Sequence, residues 1–439
     1  MTAAVPETLA AEFQDQMVRI FAERATSGNV TMALDFATRL DPDVLRTAVR
    51  RLQDAEPILG CRMDMSGEEP VWRRRADLDA NPGFRFDPDV ADLDDATAAV
   101  TFEPFDVHSE PNLSCVLLRG SQADRLLVRV SHVVADGGAT FEVAMRLAAL
   151  YTGIAADPGF RLEPNPATRD SFAWLKPFGL RDRVRILRRD IGDILRSRRR
   201  HAGFRMTDPK DLERPGTSPF HVFHEVGRER LAELDQLAGA RGLMRNDLLL
   251  AGFARAFARL SGASSGESVH LLVPNNLRRF AEVETRPAIC NLGGVANVFV
   301  EPDLGADYAA TLDRVTREMA RQRAGFMGAG NPLSLKLLAR MPFRRKAATI
   351  DRMMRGAVGR SVPPVFTNVG ALSERRLRFA GTAPERVRLY CHPVRLPLVV
   401  VALVEYRHVL VLGCCNYGSD IEPERMRTLL RDTVDGIAG

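Results

Sequence analysis

Between Arg125 and Tyr151 the chain changes its hydrophobic period once, and that change limits what it can fold into. Arg125 to Val130 is a β-forming run, and Ser131-His132-Val133-Val134-Ala135-Asp136-Gly137-Gly138 interrupts it. Phe141, Ala144, Met145, Ala148 and Tyr151 then recur at helical spacing. A strand feeding a helix through a tight turn is a unit of α/β architecture. The same order occurs earlier: Val30 to Phe36 reads as a strand, Asp41 opens a helix with Leu45, Ala48, Val49 and Leu52 on one side, and Pro57 with Gly60 ends it. At 439 residues the chain exceeds one core of ordinary size, so two comparable lobes are expected.

Hydrophobic residues make up 45% and charged ones 27%, with a mean hydropathy of −0.13, which excludes a disordered or fibrous chain. The longest apolar run, Pro397 to Val404, is far shorter than the roughly 20 residues that cross a bilayer. The opening MTAAVPETLAAEF lacks a basic region followed by an apolar stretch, so a soluble cytoplasmic protein is expected. A net charge of +5 is weak for a nucleic-acid binder, and no nucleic-acid partner is expected. Cys61, Cys115, Cys290, Cys391, Cys414 and Cys415 are scattered without a CxxC pair, so neither zinc nor disulfides are expected.

Breakers at Pro164, Pro166, Pro177 and Gly179 precede RDRVRILRRDIGDILRSRRRH, which reads as an amphipathic helix with an Arg-rich outer face and Val184, Leu187, Ile191, Ile194 and Leu195 inward. Three readings of the Arg181 to Arg200 helix stay open: a solvated linker, a site for coenzyme A phosphates or an acidic carrier, and a membrane-surface helix delivering a lipid acceptor. The expected organisation is an N-terminal lobe over 1–170, a connection over 171–218 and a C-terminal lobe over 219–439. The last holds a helix from Asn246 to Leu260, strands at Val269 to Val273 and Val295 to Val300, a strand pair at Leu398 to Glu405 and His408 to Cys414, and a final helix from Asp420 to Ile437. Nothing in the sequence sets the oligomeric state.

Chemistry concentrates at Ser131 to Gly138. A strand aims His132 into a turn, Gly137 and Gly138 allow backbone angles that a Cβ would resist, and a helix follows. Imidazoles ordinarily titrate near about 6.5, so a neutral one is a competent base at cellular pH. Asp136, four residues on, can turn back and brace the loop, for instance through an arginine, without touching the imidazole. Rival motifs are weaker. Gly262-Ala263-Ser264-Ser265-Gly266 matches Gly-x-Ser-x-Gly but follows a helix and precedes a strand, the reverse of a nucleophile elbow. His221 and His224 have a metal-like spacing without accompanying ligands, and no phosphate-binding loop is present.

His132-x-x-x-Asp136-Gly137 resembles the motif of the acyltransferase superfamily related to chloramphenicol acetyltransferase. That superfamily includes peptide-synthetase condensation domains, plant acyl-CoA transferases, wax ester synthases and mycobacterial polyketide-associated acyltransferases. LDPDVLRTAVRRLQDAEPIL is similar to its first helix, VPNNLRRF (Val273 to Phe280) to its Arg-bearing strand exit, CNLGGVANVFV to its Gly/Asn segment and TNVGAL (Thr367 to Leu372) to its late Asn-Gly strand. The resemblance implies an α/β fold of two chloramphenicol-acetyltransferase-like lobes with mixed sheets, meeting at an active-site tunnel that donor and acceptor enter from opposite mouths. His132 would be the general base, acting in a ternary complex without an acyl-enzyme. Asp136 would pair with Arg278, and with Gly137 they would support the catalytic loop. Ser131, Gly138, Thr367 and Asn368 would contact substrate or the oxyanion.

No permanently bound cofactor is implied; the donor would be acyl-CoA or a phosphopantetheinyl carrier, the acceptor a small-molecule hydroxyl or amine. An acyl or peptidyl carrier protein is the implied partner, in natural product biosynthesis; peripheral membrane contact is one of the readings left open by the Arg181 to Arg200 helix. Condensation domains usually carry two consecutive histidines, and Ser131 stands at the first position here. That departure, with no carrier or adenylation region in the sequence, tilts the reading toward a free-standing acyltransferase. The alternatives are a free-standing condensation-type enzyme forming an amide and a non-catalytic carrier- or acyl-binding module of the same fold.

Overall fold

In the computed structural model, which describes residues 5–25, 28–208, 210, 212, 215–264, 266–281 and 286–437, both strand-to-helix units read from the sequence are present. β1 (Thr8–Ala10) and α1 (Phe13–Ala25) lead into β2 (Asn29–Phe36) and α2 (Pro42–Ala55). Asp41 caps α2, accepting from the N–H groups of Asp43 and Val44 at 2.8 and 3.1 Å, and Leu45, Ala48, Val49 and Leu52 are buried. β3 (Cys61–Asp64), β4 (Val71–Arg74), β5 (Phe84–Asp87), α3 (Leu93–Phe102) and β6 (Leu113–Arg119) follow, then β7 (Asp124–Ser131) and α4 (Gly137–Ala156). Every residue of β7 is buried, including two arginines. They are tolerated there because Arg125 pairs with Asp35 and Asp94, and Arg129 with Glu103.

α5 (Leu180–Ser197) lies in the connecting stretch. Beyond it come β8 (Pro219–Val226), α6 (Arg228–Ala240), α7 (Arg245–Leu260), β9 (Val269–Asn276), β10 (Gly293–Val300), α8 (Tyr308–Ala324), α9 (Gly330–Leu335), α10 (Phe343–Arg355), β11 (Val365–Ala371), β12 (Arg386–Cys391), β13 (Val400–Tyr406), β14 (Val409–Tyr417) and α11 (Pro423–Asp435).

The strands form a five-stranded sheet in the order β12-β2-β7-β6-β5, a six-stranded sheet in the order β10-β9-β11-β13-β14-β8, and a small β1-β4-β3 sheet. Both large sheets are mixed: β5 runs parallel to β6, and β11 runs parallel to β9 and β13. β12, from late in the chain, completes the sheet of the N-terminal half, with Arg386 opposite Asp35 and Cys391 opposite Val30.

Strand alternation joins the halves. In β13 and β14, Val401, Leu403, Leu410 and Leu412 pack into the core around α7 and α11, whereas Ala402, Val404 and Val411 pack into the core around α2 and α4. Successive side chains point to opposite faces, so one strand pair serves both cores.

α5 corrects an expectation. Its apolar stripe faces out: Leu180, Val184, Ile191, Ile194 and Leu195 are exposed, Leu187 is half-buried, and Ile186, Asp190 and Asp193 are the buried residues. On the inner face Ile186 packs into the apolar cluster around Trp174 and Phe178, with Leu187 against it, and ion pairs hold the rest. Asp193 lies 2.6 Å from Arg321, and Arg196 lies 3.2 Å from Glu318 and 3.0 Å from Glu301.

Candidate active site

β7 ends at Ser131, and its last residue anchors the turn. Ser131 is fully buried; its carbonyl accepts from the N–H groups of Val134 and Ala135, and its Oγ accepts from the Val133 N–H at 3.3 Å. Ser131 therefore sits under the turn and faces no open space. His132 is half-buried and held by its backbone on both sides: its N–H donates to the Gly28 carbonyl at 2.6 Å, and its carbonyl accepts from Asn291 Nδ2 at 2.9 Å. The same Asn291 nitrogen lies 2.8 Å from the Val133 carbonyl.

The ring is oriented as well. His132 Nδ1 lies 3.0 Å from the Ala135 carbonyl, which can only accept, so in the neutral ring the proton sits on Nδ1 and the lone pair on Nε2. Among the described residues Nε2 has no hydrogen-bond partner. The arrangement can take up a proton at one defined atom.

Asp136 does not touch the imidazole. As N-cap of α4 it accepts from the Ala139 N–H at 2.9 Å, its second oxygen accepts from the Leu292 N–H at 2.8 Å, and Arg278 Nη1 lies 2.9 and 2.8 Å from the two oxygens. Arg278 Nη2 also donates to the Cys290 carbonyl at 2.6 Å. Burial alone would push the Asp136 carboxyl up. The Arg278 charge and hydrogen bonds, with the two backbone donors, outweigh it and hold the group below the usual carboxylate range. Burial pushes the neighbouring Cys290 thiol up to about 11 despite Arg278.

The glycines serve a purpose other than the expected one. Neither Gly137 nor Gly138 has a positive φ, and both are helical residues of α4. What Gly137 permits is close approach: a Cβ there would lie 2.8 Å from Val369 Cγ1, so β11 can reach the N-terminus of α4. A Cβ on Gly138 would meet only ordinary contacts with Asn276, Asp136 and Arg278. Val369 reaches in from a bulge in the β11 and β13 pairing, where Gly370 takes a φ of +99°.

Thr367 and Asn368 lie on the same strand. Thr367 is half-buried, whereas Asn368 is exposed and donates to Asn246 Oδ1 at 3.2 Å, at the start of α7. No bond among the described residues joins either to His132. A cavity of about 460 Å³ lies where the Pro57–Ile58 turn meets residues 164–169 and Ala288–Ile289, just upstream of Asn291, and His132 is not in its lining. The structure thus brings His132, Asp136, Gly137, Gly138 and Arg278 together and adds Asn291, Val369 and Gly28. Asn291 and Val369 lie inside CNLGGVANVFV and TNVGAL; Gly28 has no comparable signal.

The rival motifs stay apart from this site. Ser264 is exposed in the turn between α7 and β9, and Ser265 lies outside the described residues. His221 stacks on Phe102 with ring centroids 4.6 Å apart, and three residues along strand β8 put His224 on the opposite face. Among the described residues no group of three or more His, Cys, Asp or Glu side chains is placed to hold a metal ion.

No protein-family model and no curated protein matches the sequence. Solved structures do match over the whole chain. Trichothecene 15-O-acetyltransferase from Fusarium sporotrichioides superposes with a TM-score of 0.73 at 11% identity, covering 98% of this chain and 95% of that one. The first condensation domain of the CDA synthetase gives 0.70 at 16% identity, covering 99% and 98%. Polyketide synthase associated protein 5 from Mycobacterium tuberculosis gives 0.66 at 16% identity, covering 97% of each chain. The fold is the one that these acetyltransferase and condensation-domain structures share.

Proposed function

We propose that a protein with this fold and this turn transfers an acyl group from a thioester, on coenzyme A or a phosphopantetheinyl carrier, to a hydroxyl or amine acceptor, with His132 as general base. The observation that carries the reading is the orientation of the imidazole: Nδ1 is committed to the Ala135 carbonyl, leaving Nε2 to receive a proton. In the step, Nε2 takes the acceptor proton as the acceptor's oxygen or nitrogen attacks the thioester carbonyl carbon. The tetrahedral intermediate collapses, the C–S bond breaks, and the thiolate leaves with the proton that the imidazolium returns. Acyl group and proton balance without an acyl-enzyme or a redox group. Asp136, Arg278 and Gly137 are positioning residues in this scheme, because none of them touches the imidazole or the reacting atoms. Thr367, Asn368 and Gly138 remain proposed substrate contacts, and one of the structures sharing the fold is by its name an O-acetyltransferase.

The test is free-thiol release from a panel of acyl-CoA and acyl-phosphopantetheine donors, with and without pooled alcohols and amines, comparing wild type with His132→Ala. Release that requires an acceptor and is lost in the variant is expected. An amine-only response selects amide formation. Release that survives the substitution removes His132 as base, and binding of an acyl carrier protein without any turnover selects a non-catalytic module.

A further inference from the structure

The outer face of α5 carries a continuous exposed aliphatic stripe. Leu180, Val184, Leu187, Ile191, Ile194 and Leu195 share one side of the helix, and Leu180, Ile191 and Leu195 are 80%, 55% and 58% exposed. The stripe is about 22 Å long at the rise of an α-helix. The three aspartates of α5 lie off the stripe, Asp190 and Asp193 buried on the inner face and Asp182 half-buried in the first turn. Arginines border it. Arg181, Arg185, Arg188 and Arg198 are exposed, and among the described residues none of them has an ion-paired carboxylate. Arg183 and Arg185 donate only to backbone carbonyls, of Phe178, Leu175 and Ala324.

We propose that α5 is a membrane-contact helix that lies in the surface plane of an anionic lipid bilayer, its aliphatic stripe among the acyl chains and its arginines among the headgroup phosphates. A helix with one aliphatic face and a cationic border is the form such contacts take. A lipid surface takes up such a convex aliphatic face without a complementary groove. A second copy of the chain fits worse, because docking face to face on a two-fold axis brings unpaired arginines together. No helix among the described residues is long and apolar enough to cross a membrane, so the contact is peripheral. The inward carboxylates fit the same design: ion pairs hold the inner face to α8, which leaves the aliphatic side chains free to face out. The inference stands on the surface alone and not on the catalytic reading.

The experiment is co-sedimentation of the full chain with vesicles of phosphatidylcholine alone and of phosphatidylcholine mixed with phosphatidylglycerol. Binding to the mixed vesicles that weakens with added salt is expected. Arg181→Gln/Arg188→Gln/Arg198→Gln should lower partitioning about a hundredfold, and Leu180→Ser/Ile191→Ser/Leu195→Ser should abolish it. Met244→Ser, at another exposed apolar position, should change nothing. All these side chains are exposed, and an unchanged circular-dichroism melt checks that each variant is folded. Failure to bind either vesicle overturns the proposal, as does binding that survives both triple variants. Concentration-dependent dimerisation lost in the Leu/Ile variant would assign the face to self-association instead.

Discussion

Arg278 reaches Asp136 across 142 residues of chain and, with the same guanidinium, the Cys290 carbonyl, so one side chain fixes both the start of α4 and the loop before β10. The geometry makes the His132 turn depend on both halves of the molecule. Arg278→Gln leaves the largely buried Asp136 carboxylate without its cation, and a loss of about 3 kcal/mol in chemical denaturation is expected. The Asp136 carboxyl lies below its unfolded range, so its contribution is full above an unfolded carboxylate's pKa of about 3.9 and fades as the pH falls through the folded value. Without Arg278 the acid-unfolding midpoint should move up. In turnover, kcat should drop with KM little changed, and Arg278→Lys should restore part of it.

His132→Ala should lower acceptor-dependent thiol release by a factor of about 10² to 10⁴. The backbone bonds to Gly28 and Asn291 do not involve the ring, so the stability loss should be confined to the ring's bond to the Ala135 carbonyl, about 1 kcal/mol. A large loss of stability would mean that the side chain serves packing instead.

Gly137→Ala should cost about 1 to 3 kcal/mol through overpacking against Val369. Because the position has no positive φ, the strain is steric and should be relieved by shortening the neighbour. The double variant Gly137→Ala/Val369→Ala should be more stable than the sum of the single losses predicts, which a double-mutant cycle measures directly.

Asn291→Ala removes the side-chain donor shared by the carbonyls of His132 and Val133. A stability loss of about 1 to 3 kcal/mol is expected, together with reduced kcat at unchanged donor KM. Equal turnover in wild type and variant would show that Gly28 alone suffices to hold the turn.

Burial holds the imidazoles of His221 and His392 down to about 4 and that of His270 to about 3. Each stays neutral in the fold while an unfolded histidine gains a proton near pH 6.5. Stability should therefore be full above that pH and fall as the pH drops toward the folded values, by up to about 1.4 kcal/mol per pH unit for each histidine. His270→Gln should flatten that slope between pH 6 and 5, whatever it does to stability at neutral pH.

Local signals were legible from residues alone. The strand before His132, the Asp41 cap and the helix after Gly137 each depend on neighbours within a few positions, and all appear where the periodicity puts them. Arg278 could be matched to Asp136 only through a motif resemblance, because nothing local links positions so distant. Asn291 and Val369 escaped for the same reason: their partners are a carbonyl and a glycine Cα, which carry no side-chain signature. Periodicity identified the apolar stripe of α5 but not its direction. A 3.6-residue repeat says which side chains share a face, and only the surrounding packing, here Arg321 and Glu318 meeting Asp193 and Arg196, decides which face turns in.

The pairing of β12 with β2 bears on how the protein is made. Asn29 to Phe36 leave the ribosome well before the strand that covers their outer edge, which ends at Cys391. Until then the first sheet presents a row of unsatisfied N–H and C=O groups beside an apolar, largely buried strand, a template for pairing with any nascent neighbour. The edge of β2 thus stays open until β12 has been made, and that interval is the one in which this sheet is exposed to mispairing.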